Sequence, residues 1–189
     1  MTLPIAENVK QSFEYAKGTL FGKWVDWLIL IVLTIIPVVN FIGIGRYLKI
    51  FRGEDPSMDD IGKCFMDGLM VFIIAFVYMI IPAIILIIPI IGWIIGFILM
   101  IAVALLLIPA IYGFANNGSL GGAFAFKNHL ETIKGIGWGE YIIAVIVFML
   151  ILFVLSIVNI IPVLGTILWI IALPFALIMA FKFIANVLA

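Results

Sequence analysis

The sequence predicts an all-α integral membrane protein with six transmembrane helices arranged as three Pro-turned hairpins, plus short interfacial amphipathic helices. Three observations predict it. The 189 residues are 67% hydrophobic and 11% charged, against about 45–50% and about 25% in ordinary soluble domains. A soluble fold of this length has too much surface to hide so much apolar side chain. From Gly68 to Phe126 no charged residue occurs, a run long enough for more than one crossing at about 20 residues each. Finally, a proline turn recurs as "IIPVVN" (35–40), "IIPIIG" (87–92) and "IIPVLG" (160–165).

The N-terminal segment, 1–23, is predicted to be an interfacial amphipathic helix. Val9, Phe13, Ala16, Leu20 and the following Trp24 share helical spacing, with Lys10, Glu14 and Lys17 opposite. It has no apolar core of signal-peptide type, so no cleaved leader is expected. Residues 24–189 form one polytopic membrane domain with hairpins at about 24–52, 67–115 and 140–186. In each, a proline that cannot continue a helix turns the chain. Pro37, Pro89 and Pro162 are the turn prolines, and Gly92 and Gly165 supply the backbone freedom of a tight return. When Pro89 is laid on Pro162, Asp67 falls on Glu140 and Gly62 on Gly135, and the lead-ins "KGTLFGKW" (17–24) and "KGIGWGEY" (134–141) agree in register. The first hairpin is the shortest. Trp24 to Pro37 spans only about 20 Å as a helix, so it either crosses with Arg46 snorkelling to the headgroups or enters as a re-entrant loop.

If the three turns lie on the far side, all ten Lys and Arg fall on the near side. That bias makes the near side cytoplasmic, with both termini there, in the plasma membrane. Two more near-side segments read as short helices. In 122–135, Ala123, Phe126, Leu130 and Ile133 line one face, with Lys127, Glu131 and Lys134 on another. At "PSMDD", Ser57 and Asp60 have capping-box spacing.

These residues carry a resemblance. "RGEDPSMDD" (52–60), "KGIGWGE" (134–140) and "IIPVLGTILWIIALPFALIMAF" (160–181) resemble the prokaryotic integral membrane proteins of domain-of-unknown-function family 4013, and related six-helix families. The resemblance implies a six-helix polytopic protein and no activity. Arg46-Tyr47 departs from it, where Gly-Tyr is expected.

Chemistry is sparse. His129, the one histidine, has no ligand-spaced partner and is expected at the surface. The single Cys64 excludes an intramolecular disulfide. No phosphate loop or nucleophile–base set is legible, so no enzyme, metal or cofactor is expected. Zero net charge gives no reason to expect nucleic acid. Helices three to six carry no ionisable group between their ends, which argues against most ion-coupled transport. Asp67 and Glu140 are read as helix-start carboxylates, and Tyr78 as a lone polar group. Pro82, Pro109 and Pro174 are read as shaping kinks. The rim that would bind a partner is Arg46, Arg52, Glu54, Asp60, Lys127, Lys134 and Trp138. Expected partners are the lipid bilayer, a second copy, or a membrane or cytoplasmic protein. The leading function is a membrane scaffold or partner- or lipid-binding module. The alternative is a small transporter or channel for an apolar or weakly polar solute, using the proline-broken helices.

Overall fold

The structure, a computed structural model, describes residues 4–57 and 59–189. They form α1 (Ile5–Leu20), α2 (Trp24–Ile35), α3 (Asn40–Phe51), α4 (Ile61–Leu86), α5 (Ile91–Asn117), α6 (Leu120–Ala123), α7 (Phe126–Ile136), α8 (Trp138–Ser156) and α9 (Leu164–Leu188). One turn of 3-10 helix, Ile157–Ile160, extends α8. No strand occurs among the described residues.

Among the described residues, four helices are long and apolar enough to cross a membrane: α4, α5, α8 with its extension, and α9. A fifth would require counting α1 and α2 together across their 101° bend. The expected six is not reached, because the first hairpin is short. α2 and α3 have 12 residues each, about 18 Å of helix. Their position matters as much. Gly68 of α4 lies against the Phe41 carbonyl, and Gly45 of α3 against the Cys64 carbonyl. α3 therefore packs on the first two turns of α4, and about 27 Å of α4 continues beyond Gly68. Phe41 also meets the Phe72 ring at 5.5 Å, so the Pro37 end of this hairpin lies beside the middle of α4, short of the Pro89 turn.

The large exposed apolar side chains mark where lipid would lie. They include Phe72 and Ile84 on α4, Phe97 on α5, Phe153 on α8 and Ile167 on α9. The buried residues gather at the opposite ends, in α3, the end of α5, and α9 beyond Pro174. Water-free packing thus concentrates beside the charged segments, and the distal arms show apolar surface outward.

The turns at Pro89 and Pro162 share one backbone shape. Ile90 (φ 63, ψ −71) and Val163 (φ 64, ψ −61) both take positive φ. The Ile91 N–H donates to Pro89 O at 2.8 Å and the Leu164 N–H to Pro162 O at 2.7 Å. Each is a γ-turn of the rare, strained kind. Gly92 and Gly165 follow, and a Cβ on either would strike the carbonyl of Ile85 or Val158. Asn40 stands at the matching place after Pro37, and Val38, which corresponds to Ile90 and Val163, does not take positive φ. With a Cβ there, the first turn cannot close in the same way. Branched side chains at positive φ are costly, and Ile90 and Val163 are exposed. Ile90→Gly and Val163→Gly are each expected to stabilise the protein by about 1 kcal/mol, read as a higher midpoint in detergent unfolding. A lower midpoint would show that the turns are unstrained.

α1 buries only part of the stripe read from the sequence. Asn8, Ser12, Ala16, Thr19 and Leu20 face inward, while Phe13 and Trp24 are exposed. The reason is polar pairing with α9. Asn8 Nδ2 donates to Phe183 O at 3.0 Å, Asn186 Nδ2 donates to Asn8 Oδ1 at 2.8 Å, and Lys182 Nζ lies 5.1 Å from the Tyr15 ring centre.

Proline kinks draw donors from neighbours. Pro109 cannot bond the Leu105 carbonyl, and Tyr141 Oη donates to it at 2.6 Å. Trp27 Nε1 donates to Ile171 O at 2.8 Å, one residue past the Ile170 carbonyl that Pro174 cannot bond. Re-satisfaction of this kind lets proline sit in a span.

Candidate functional site

Two neighbouring assemblies carry the residues of interest. The first is the linker from α3 to α4. Arg46 is 2% exposed and its Nε donates to Pro56 O. Lys49 Nζ donates to Ser57 O at 3.2 Å and Asp59 O at 3.1 Å. Arg52 Nη1 meets Asp67 Oδ2 at 2.6 Å, and Arg52 Nε donates to Ala115 O at 2.9 Å. These cations turn inward and hold the linker on the bundle. Arg46 Nη1 and Tyr47 Oη are buried without a hydrogen bond among the described residues.

Three expectations change here. Arg46 does not snorkel; α3 rests on α4, so the side chain is enclosed. Asp67 lies seven residues into α4 and pairs with Arg52, so it is no helix-start carboxylate, whereas Glu140 does lie in the first turn of α8. Ser57 and Asp60 form no capping box. Ser57 Oγ donates to Asp59 Oδ2 at 2.7 Å, and Asp60 precedes α4 at φ 58 with no side-chain cap. The backbone bonds from Arg46 and Lys49 fix the linker in a path that delays the helix to Ile61. Glu54 and Asp60 are exposed.

The second assembly follows α5. Gly118, at φ 64, closes α5 with its N–H on Phe114 O at 2.9 Å, as left-handed glycine caps do. The chain then folds back along α5. A Cβ on Gly113 or Gly122 would lie 2.7 Å from the other's carbonyl, so glycine at both lets α6 approach backbone to backbone. Two donors converge on the end of α6: Tyr78 Oη at 2.8 Å and His129 Nε2 at 2.9 Å from Ala123 O. A carbonyl only accepts, so His129 Nε2 carries hydrogen. His129 is 3% exposed. Its expected surface position fails because α6 offers a buried acceptor. Phe124 stacks on Tyr78 at 5.7 Å and Phe126 lies 5.5 Å from the same ring. Lys127, Lys134 and Trp138 stay outward.

Under this aromatic group lies a cavity of about 310 Å³ between α4 and α5, reaching Pro82. It was not read from the sequence, although Pro82 was singled out. Its one hydroxyl is that of Tyr78, already donated. Among the described residues no group of three His, Cys, Asp or Glu could hold a metal ion. The expected rim residues therefore divide. Arg46 and Arg52 serve the protein's own frame, while Lys127 follows Phe126 of the cavity's aromatic cover and Lys134 and Trp138 lie exposed at the far end of α7 and the start of α8.

No curated protein and no solved structure matches the chain. One family does. The family described as "Protein of unknown function (DUF4013)" matches residues 29–164, from the middle of α2 through the last Pro turn, and the chain belongs to that family.

Proposed function

We propose that this is a non-enzymatic, multi-pass protein of the cell membrane that binds lipid at its near-side rim, with both termini cytoplasmic. The observation that carries the reading is the division of α7. His129 and Ile133 point into the protein, while Phe126, Leu130, Lys127 and Lys134 are exposed, with Trp138 next to them. Apolar and cationic groups on one outer surface suit a membrane interface. Interior uses for Arg46, Lys49 and Arg52 leave the exposed lysines, Lys127 and Lys134 of α7 among them, as near-side charge. Four crossings return the chain to its starting side, and the first hairpin joins the third-hairpin lead-in on that side, as a shallow entry. With all ten Lys and Arg on it, the positive-inside bias supports the cytoplasm.

The test is lipid retention. The full chain is reconstituted with phosphatidylglycerol and phosphatidylcholine, extracted gently, and its bound lipid weighed by mass spectrometry. Enrichment of the anionic lipid is expected. Lys127→Glu with Lys134→Glu is expected to lower the preference at least about tenfold, at about 1 kcal/mol per cation. Bound lipid of bulk composition in the unaltered chain would overturn the reading.

The cavity at Pro82 also favours a second reading, a small transporter for an apolar solute. Val77→Cys in a Cys64→Ser background decides between them. Labelling by a water-soluble maleimide would reveal an aqueous path and favour the transporter. No labelling leaves the lipid-binding reading ahead.

A further inference from the structure

The cavity beside Pro82 has a particular chemistry. At its lower end α5 closes tightly on α4, since a Cβ on Gly96 would lie 2.7 Å from the Leu86 side chain. Above that contact the helices part, where Pro82 and the small Ala102 both line the gap. The volume of about 310 Å³ is at the small end for ligand sites.

The mouth faces the lipid belt. Val77 is 40% exposed and Ile81 62%, and Ala102 is exposed too. The inner wall is Leu99, Val103 and Leu106, and Phe124 and Phe126 cover the near-side end. Water entering here would find too few partners, because the Tyr78 hydrogen goes to Ala123 O and only that oxygen's lone pairs are left among the cavity's side chains. A polar solute would lose its hydration without replacement. The medium at the mouth of a bilayer-embedded α4–α5 hairpin is hydrocarbon. Residue 126 lines the cavity, and residue 127 is an exposed lysine. An apolar slot with a cation at its near-side rim matches a lipid tail below a phosphate.

We propose that this cavity binds one acyl chain of a near-side phospholipid. The inference rests on the lipid-binding reading above and adds the place and the part of the lipid that is held. A phosphatidylglycerol carrying a diazirine on one acyl chain is incorporated with the full chain, illuminated, and the labelled peptides mapped. Labels should concentrate on 77–82, 99–106 and 124–126, and fall severalfold in Ala102→Phe, which fills the mouth from an exposed position. As a second readout, phosphatidylglycerol added to delipidated protein should raise the Tm of the unaltered chain and leave that of Ala102→Phe unmoved. Labels spread evenly along the exposed faces of α4, α5, α8 and α9, with equal Tm gains in both proteins, would overturn the proposal. Even labelling together with intact anionic enrichment would fell the cavity alone. Concentrated labelling without enrichment would fell the rim reading alone.

Discussion

Gly68→Ala lowers the stability of the folded chain by about 3 kcal/mol, at the upper end of overpacking costs. The added methyl would be driven into the Phe41 carbonyl, and the same change at Gly45 would strike the Cys64 carbonyl. Both obstacles are backbone, so no rotamer change relieves them. Either α3 moves off α4 or a helix bends. Moving α3 also disturbs Leu48 and Ile50, both buried, and the cations that hold the linker. Gly62 and Gly139 serve as controls. A Cβ at either meets nothing within 4 Å, so alanine there should stabilise by up to about 1 kcal/mol through helix propensity. Unfolding by increasing dodecyl sulfate, followed by tryptophan fluorescence, separates the two classes. Equal midpoints for Gly68→Ala and Gly62→Ala would sink the close-packed α3–α4 contact.

Loss of Arg52 is the second large effect. Its guanidinium joins three helices: it stands at the end of α3, pairs with Asp67 of α4 at 2.6 Å and donates to Ala115 O of α5 at 2.9 Å. The paired side chains are only 12% and 15% exposed, so neither charge is well hydrated once its partner goes. Arg52→Ala should cost about 3 kcal/mol, typical for breaking an enclosed pair from one side. Asp67→Asn should cost less, because the Ala115 bond survives. The double variant should be milder than the sum of the two, since no charge is left stranded. Strict additivity would mean that the pair is not coupled. Because Arg52 ties the ends of α3, α4 and α5, the Arg52→Ala chain should also expose its near-side helix ends, seen as faster amide exchange there.

The long arms were legible because their signals are local. Hydropathy and the Pro-Gly turns are enough to place α4, α5, α8 and α9, and the likeness of "IIPIIG" and "IIPVLG" anticipates a shared turn. The first hairpin misled for a physical reason. "IIPVVN" repeats the proline and the isoleucines, but Asn40 replaces the glycine that permits the tight return. Its depth is set by α3 resting on Gly68 and Cys64, a tertiary fact that no spacing reports. The near-side residues failed in the same way. His129 and Asp67 look like surface and helix-start groups until Ala123 O and Arg52 are brought to them from distant positions. The cavity was half visible. Pro82 marked a weak point in α4, but the covering Phe124 and Phe126 come from beyond the next span.

The γ-turns bear on what the protein can meet on its far side. Each reverses the chain within a few residues, and Ile87, Ile88 and Ile90 at one tip, with Ile160, Ile161 and Val163 at the other, are apolar and exposed. A protease needs a strand that can be drawn out into its cleft, and exposed flexible loop tips supply one. These tips have no slack to give, and Asn159 is the one exposed polar side chain directly beside them. Added protease should leave this end of the molecule uncut, and the exposed turn at 53–55 at the opposite end is the better target.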